Sequence, residues 1–294
     1  MIGTGTDYAN SIDLFDRRYA LTVETTRYTD LEITFDIKRS LSAKVANSAE
    51  IVITNLSDAS RKALHADRAV FVSLEAGYAG GTSLIYRGEI REAWSARENV
   101  EWHTTISSTD GALKRKQSRI QKSFPAGVSV RDVIVACAQA LQINMGNAEK
   151  AAVKAALYNV QPQVFTTGYV ASGDALSQLD RICRSCGLEW SVQDNTLQLL
   201  PRGKATTDVG LVLSGSTGLI DSPELGRGGL VKCKCKMLPG LYPGRRCELQ
   251  SRYVQGLYRI ETVHLRGDYR GSDWGGELEL RAQNDTTSTK TGAS

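Results

Sequence analysis

Apolar and polar residues alternate with a period of two near the start of the chain. In residues 31–38, Ile33, Phe35 and Ile37 alternate with charged and hydroxyl side chains, which is typical of a strand with one buried face. The same pattern between turn residues predicts a β domain, with further strands over residues 49–55, 70–77, 84–94 and 100–106 and a short helix from Ser57 or Asp58 to about Ala66.

Alternation returns in the C-terminal third, over residues 230–236. A later strand that begins near Gly256 loses its phase at Val263, and this break predicts a bulge or a crossing between sheets. A loop over residues 266–276 with four glycines leads to another alternating strand over residues 277–281. We therefore expect a hairpin with a long tip.

Helical periodicity replaces alternation in the middle of the chain. Ser129 is a suitable N-cap for one helix, and a second helix is predicted from Ser172 to Gly187. An alternating hairpin over residues 188–199 follows the second helix. The alanine-rich residues 147–158 fit either a helix or a loop.

These patterns divide the chain into parts. Its 294 residues exceed the size at which one hydrophobic core usually stops growing. The expected fold is mainly β with a central α+β module: two small β-barrel domains flank a helix-plus-hairpin domain. The expected boundaries are an N-terminal barrel over residues 1–112, the central domain over 113–203, a C-terminal barrel over 204–283 and a flexible tail over 284–294.

Several short motifs stand in a distinctive order along the chain. In the C-terminal third they are Ser216-Thr217-Gly218-Leu219-Ile220, Ser222-Pro223, Leu238-Pro239-Gly240, Pro243-Gly244-Arg245, Gly256-Leu257-Tyr258-Arg259-Ile260, His264, Gly267-Asp268 and Asp273-Trp274. Upstream they are Ile53-Thr54-Asn55-Leu56, Ala76-Gly77-Tyr78, Gly88-Glu89-Ile90 and Asp110-Gly111. This order resembles the late-control-protein-D-like tail hub proteins of phage baseplates, which are also similar to the upper part of type VI secretion spikes.

The resemblance implies a structural role without enzymatic activity. The two barrels would be tail-tube-like, and a homotrimer would place six barrels around a channel for the tape measure and DNA, so that a threefold tip matches a sixfold tube. The implied partners are sister copies, the tail tube or a distal tail protein, the C-terminus of the tape measure protein, and a central spike or fibre. The protein would lie in the virion tail tip after assembly in the host cytoplasm, without membrane insertion.

Composition agrees with a structural protein. Lys and Arg number 36 against 32 Asp and Glu, and a net charge of +4 is too small to argue nucleic-acid binding by itself. The N-terminus has no signal-peptide pattern, and no apolar run is long enough to span a membrane. Six cysteines in this length predict reduced thiols. The basic run over residues 114–122 is interpreted as a solvated connector, with an acidic partner surface as the alternative.

The cysteines raise a zinc hypothesis that the pattern disfavours. Cys183, Cys186, Cys233 and Cys235 could supply four thiolates. The first pair, however, lies on the apolar stripe of a predicted helix, and the second lies on the apolar face of a predicted strand. Buried thiols commonly act there as small packing residues. No metal and no cofactor are therefore expected.

Catalytic groupings are weak. His65, His103 and His264 belong to different predicted elements, and Glu277 and Glu279 share a strand face without an evident cleft. No glycine-rich loop joins a strand to a helix in a phosphate-binding arrangement. We therefore predict no catalytic residues.

Two features are candidates for interfaces. Lys232, Lys234 and Lys236 share one face of their strand, and we expect this face at an interface because a cationic ladder lining a channel would hold passing DNA through its phosphates. Trp274 is interpreted as either a plug that closes a barrel end or an interface anchor.

Two rival functions remain. A cell-wall (peptidoglycan) hydrolase would need a spare domain with a catalytic cleft, and no length is left for one. A carbohydrate-binding tail-tip module would be favoured if Trp94, Trp102, Trp190 and Trp274 were exposed, but three of these four lie in strand-like apolar faces.

Overall fold

A computed structural model describes residues 14–43, 45–65, 71–110, 117–146, 164–206 and 210–283 of the chain. Residues 114–116 of the basic run, the alanine-rich residues 147–158 and the predicted tail over 284–294 lie outside this part. Within it, no helix is long and apolar enough to cross a membrane.

Strands dominate the described residues, as the sequence predicts. In chain order they are β1 (Arg17–Val23), β2 (Thr26–Tyr28), β3 (Ile33–Ser40), β4 (Ser48–Thr54), β5 (Phe71–Tyr78), β6 (Gly81–Glu98), β7 (Glu101–Thr109), β8 (Arg119–Phe124), β9 (Val128–Ser129), β10 (Val164–Phe165), β11 (Tyr169–Asp174), β12 (Leu188–Gln193), β13 (Thr196–Pro201), β14 (Leu211–Ser214), β15 (Leu219–Leu225), β16 (Leu230–Lys236), β17 (Arg246–Gln250), β18 (Gln255–Asp268) and β19 (Trp274–Ala282). The helices are α1 (Asp58–His65), α2 (Val130–Ala140) and α3 (Ala175–Ser185). The mainly β class with a central α+β module is confirmed.

The large sheet contains the same arrangement of strands twice. Its first unit has the neighbour order β3-β4-β7-β6-β5-β1, and its second unit has the order β15-β16-β19-β18-β17-β14. Each strand of the first unit thus has a counterpart in the second. Four of the five neighbouring pairs are antiparallel in both units, whereas β1 is antiparallel to β5 and β14 is parallel to β17. This internal duplication was not visible in the sequence.

The longest strand of each unit carries a bulge at the same place. In β6 the register against β7 shifts between Ile90 and Glu92. In β18 the register against β19 shifts between Ile260 and Thr262, which confirms the irregularity predicted near Val263. A bulge bends its strand and increases the local twist. Both strands therefore change direction halfway. Beyond the bulge, β18 gains β3 as a new neighbour, whereas β6 has no second partner strand within the described residues.

The two units are joined edge to edge. Beyond its bulge, β18 leaves β17 and pairs antiparallel with β3, from Thr262 opposite Ser40 to Asp268 opposite Thr34. Together the strands of both units form a 13-stranded sheet, and apolar residues of both ends belong to one hydrophobic core. The two units at the ends of the chain therefore share one sheet and one core.

The central module has a second core of its own. Helices α2 and α3 pack together with the β12–β13 hairpin around residues such as Ile134, Leu179 and Leu197. The predicted N-cap Ser129 accepts a hydrogen bond from the backbone N–H of Asp132. The second helix begins later than predicted: Ser172 lies in β11, and the side chain of Asp174 caps α3 by accepting from the Ser177 N–H.

Arg39 of β3 connects this module to the sheet. Its guanidinium is buried and donates to Asp194 Oδ2 at 2.7 Å, to Gln193 Oε1 at 3.3 Å and to the carbonyl oxygen of Ile85 at 2.9 Å. The ring of Tyr242 lies 4.3 Å from it. A buried cation requires such partners, because its desolvation is otherwise costly. The turn of the β12–β13 hairpin is thereby fixed against both units.

Arg259 of β18 forms a second connection of the same kind. It is buried and donates to Glu189 Oε2 of β12 at 2.7 Å and to Glu261 Oε1 at 2.7 Å. Arg259 lies between the core residues Tyr258 and Ile260 and therefore on the opposite face of its strand. That face is covered at this point, because the central module packs on it.

Replacing Arg39 should destabilise the fold far more than replacing its exposed neighbour Lys38. Arg39→Ala removes the buried cation that pairs with the Asp194 carboxylate, and we expect a loss of about 3 kcal/mol in the free energy of unfolding. Lys38→Ala removes an exposed ion pair with Asp36 at 3.5 Å and should cost less than about 1 kcal/mol. Urea unfolding monitored by fluorescence measures both values, and equal losses would contradict the assigned role of Arg39.

Candidate functional site

One face of the sheet, opposite the shared core, is polar across both units; we call it the polar face. From β3 of the first unit into the second unit, the register sets Lys38 beside His264, His264 beside Glu277, and Glu277 beside Lys234. Strands of the second unit therefore alternate in charge: β18 is basic, β19 is acidic and β16 is basic. Opposite charges on neighbouring strands stabilise a sheet, whereas like charges directly opposite destabilise it.

The three lysines of β16 all lie on the polar face. Lys232 Nζ lies 3.3 Å from Glu279 Oε1, so its charge is balanced by the adjacent strand. Lys234 lies opposite Glu277 in the register, and Lys236 Nζ lies 5.3 Å from the ring centre of the exposed Phe15. The sequence predicted a basic surface. The structure replaces it with a mixed one, because the carboxylates of β19 are interleaved with the lysines.

A charge cluster marks the joint between the units. Asp36 Oδ2 lies 2.8 Å from His264 Nε2 and 3.4 Å from Arg266 Nε. Burial alone would raise the pKa of Asp36. The hydrogen bond and charge of His264, together with Lys38 and Arg266, outweigh burial and hold the pKa below its ordinary value of 3.8. This cluster links β3 to β18 across the polar face.

An open groove of about 580 Å³ runs over the polar face from the joint to β15. Lys38, Lys232 and Glu277 line it together with Val45 and Asp221. Its walls carry charged side chains of both signs.

Among the strand edges that are open within the described residues, two carry exposed apolar side chains. Beyond the bulge, residues 92–98 of β6, which we call the β6 arm, pair on one side with β7 and have no partner strand on the other. At the far end of the sheet, β15 pairs only with β16. An open edge presents unpaired backbone N–H and C=O groups and is a template for pairing with another chain. Sequence reasoning missed both edges, although the exposed Trp94 and Leu225 mark them with apolar side chains.

Trp274 lies inside the chain. It is 7% exposed, its Nε1–H donates to the carbonyl oxygen of Gly77 at 3.1 Å, and its ring meets Phe35 edge to face at 5.5 Å. The tip of the β18–β19 hairpin thus packs against the first unit, with the indole buried inside the chain. Of the two roles considered for Trp274, this position favours the plug.

The four cysteines of the zinc hypothesis are divided between two cores. Cys183 and Cys186 are buried in the core of the central module, and Cys233 and Cys235 are buried in the core of the sheet. Among the described residues, no group of three or more His, Cys, Asp and Glu side chains is placed to hold a metal ion. Burial also raises the pKa of Cys233 to about 12, which disfavours the thiolate that a metal or an electrophile requires.

The three histidines lie in three separate places. His65 Nε2 lies 3.1 Å from Ser95 Oγ, His103 Nδ1 lies 3.3 Å from Thr54 Oγ1, and His264 contacts Asp36. Glu279 accepts from Thr262 and pairs with Lys232. None of the described contacts joins a nucleophile, a histidine and a carboxylate in sequence, which is the arrangement needed for nucleophilic catalysis.

Comparisons with known proteins concern the fold. No protein-family model and no curated protein matches the sequence. A tail protein from Neisseria meningitidis is similar over 92% of this chain and 97% of its own, with 12% identity and a TM-score of 0.59. The 43 kDa tail protein of prophage MuSo2 from Shewanella oneidensis covers 90% and 97% of the two chains, with 9% identity and a TM-score of 0.59.

A secretion component shares this fold as well. A component of the E. coli type VI secretion system covers 90% of this chain and 77% of its own, with 11% identity and a TM-score of 0.57. The chain therefore has the fold of phage tail proteins and of type VI secretion components, as the resemblance in the sequence predicts.

The Asp36 cluster predicts a pH dependence of stability. The pKa of Asp36 is lower in the folded than in the unfolded protein, so its contribution is present above pH 4 or so and is lost as the pH falls through the folded pKa. In urea unfolding at pH 6 and pH 3, Asp36→Asn should lose less stability on acidification than the wild type. An identical loss in both proteins would contradict this role of the carboxylate.

The buried thiols predict low reactivity. Burial raises the pKa of Cys247 to about 12 and that of Cys137 to about 11, and all six cysteines are buried. We expect a thiol-specific aromatic disulfide at pH 8 to modify the native protein slowly and the urea-unfolded protein at once. Rapid modification of the native protein would place at least one thiol at the surface.

Proposed function

We propose that this protein is the structural hub of a phage tail tip or baseplate, where it forms a ring that connects the tail tube to the central spike. The observation that carries this proposal is the duplicated unit, joined edge to edge within one chain. A chain that already repeats a unit by edge pairing is suited to continue the repeat into the next copy. Three copies then give six units around a channel.

The polar face is suited to line that channel. The argument for placing the lysines at an interface instead was that a cationic ladder retains DNA through its phosphates. The carboxylates of Glu277 and Glu279 alternate with Lys232 and Lys234 in the register, so this surface offers no continuous basic track. We therefore revise the interface proposal for these lysines and assign the polar face to the channel wall.

The remaining partners follow from the same role. We propose that the ring seats the tail tube or a distal tail protein on one side and a spike or fibre protein on the other. The C-terminus of the tape measure protein and later DNA would pass through the channel. The protein would occupy the virion tail tip, after assembly in the host cytoplasm.

The rival functions have less support. A carbohydrate-binding surface requires exposed aromatic rings, but Trp190 and Trp274 are buried, and Arg61 lies 4.2 Å from the ring centre of the partly buried Trp102. Trp94, with 41% exposure, is the most exposed of the four. A peptidoglycan hydrolase requires a catalytic grouping, which the described contacts do not provide.

The oligomeric state tests the proposal directly. Native mass spectrometry or light scattering should give a mass three times that of the 32.0 kDa chain, and electron microscopy should give a ring with a central hole. A stable monomer under all assembly conditions, or lytic activity on purified peptidoglycan, would overturn the proposed hub.

A further inference from the structure

We propose that the β6 arm of one copy pairs antiparallel with β15 of the next copy, and thereby repeats between molecules the β18–β3 joint found within each chain. This inference rests on the proposed ring and names the contact that would close it. The partner is a second copy of this chain, and the joint inside the chain supplies the template.

The β6 arm is the counterpart of the strand that makes the internal joint. The bulges of β6 and β18 correspond, so Glu92 takes the place of Thr262, and residues 92–98 take the place of residues 262–268. Both segments pair on one side with the next strand of the hairpin. In β18 the other side holds β3, whereas in the β6 arm the other side is open within the described chain.

Strand β15 is the counterpart of β3, which accepts that joint. Ile37 of β3 pairs with Ala49 of β4, and Leu225 of β15 pairs with Val231 of β16 at the matching position. Ile37 is completely buried because β18 covers it. Leu225, by contrast, is 78% exposed. An apolar side chain at a core-facing position that lacks cover indicates a missing neighbour.

The backbone at Leu225 is also directed outward. The N–H of Gly226 donates to the carbonyl oxygen of Leu230, within the hairpin. Successive residues of a strand point their N–H and C=O groups to opposite sides. Those of Leu225 therefore point to the open edge, as the N–H of Leu41, directly after β3, points to the carbonyl oxygen of Glu261 in β18.

Transferring the internal register gives specific pairs between copies. Leu265 opposite Ile37 becomes Ser95 opposite Leu225, and Arg266 opposite Asp36 becomes Ala96 opposite Glu224. By the same shift, Trp94 lies opposite Gly226, whose backbone is extended with φ −89° and ψ 177°. An aromatic ring laid across a strand glycine covers its exposed backbone, so the half-exposed Trp94 has a matching site.

The irregular middle of β15 disfavours pairing with strands other than the β6 arm. Its register against β16 shifts between Ile220 and Glu224, and Pro223 lies in the shifted segment. Proline has no N–H to donate, and proline or a bulge at a sheet edge prevents pairing with foreign strands. The segment that contains Glu224 and Leu225 lies beyond this shift and pairs regularly with β16.

Disulfide trapping tests the pairing. In the double variant Ala96→Cys and Glu224→Cys, both positions are exposed, and paired cross-strand residues about 5 Å apart meet the geometry of a disulfide. Mild oxidation should convert most of the protein into covalent dimers and trimers that a reductant reverses. Six strands separate β6 from β15 within one chain, so the trapped bond joins different copies, and the native buried thiols give little background.

A matched control uses the same two strands out of register. In Glu92→Cys and Ile220→Cys, both positions are exposed, but Glu98 rather than Glu92 takes the place opposite Ile220, a mismatch of about 20 Å along the strand. This pair should remain uncrosslinked. Circular dichroism and thermal melts must show that both double variants fold as the wild type does.

Each outcome bears on a separate claim. Trapping of the Ala96–Glu224 pair alone supports the joint. If the mass shows a trimer but no disulfide is trapped, the strand pairing is wrong and the proposed hub still stands. If the protein is a monomer and no disulfide is trapped, both proposals are wrong. Equal trapping of both pairs would also overturn the inference, because it would indicate contact without a defined register.

Discussion

The antiparallel pairing of β3 with β18 is the contact on which the rest of the structure depends. It joins residues separated by more than two hundred positions, and its side chains close both the shared core and the Asp36–His264 cluster. Long-range pairing of this kind is entropically costly to form. The bulge in β18 makes it possible, because it turns the strand away from β17 toward β3.

The central module strengthens this joint through two buried arginines. Arg39 and Arg259 each place a buried guanidinium against carboxylates of the β12–β13 hairpin or its surroundings. Charged groups in such places confer geometry more than net stability, since their desolvation offsets much of the ionic attraction. The central module therefore holds the two units in a defined orientation through these buried ion pairs.

Local patterns in the sequence predicted local structure well. The alternation of Ile33, Phe35 and Ile37, the cap at Ser129 and the phase break near Val263 all describe interactions between residues close in the chain. Arg39 follows Ile33, Phe35 and Ile37 on the buried face of β3. This position indicates a buried cation, which the sequence analysis did not predict. The sequence did not predict β15 as a strand, because Asp221, Ser222 and Pro223 interrupt its alternation.

The duplication escaped sequence reasoning for a different physical reason. Corresponding strands share backbone pairing but not side chains: Glu50 and Val52 of β4 take the places of Lys232 and Lys234 of β16. Backbone hydrogen bonds tolerate nearly any side chain, so topology persists after sequence similarity is lost. Whether the two cysteine pairs could share a metal depends on where their side chains lie. This was decided only by the structure, which places the pairs in two different cores.

Strand β14 gives the duplicated architecture its one directional difference. It lies parallel to β17, whereas its counterpart β1 lies antiparallel to β5. In a closed assembly the border would alternate between two kinds of strand, while the inner strands stay equivalent. A protein that docks on the border strands would find an equivalent site on every second unit. A protein that contacts only the inner strands would find one on every unit. One polypeptide would thus present two docking periodicities to the proteins above and below it.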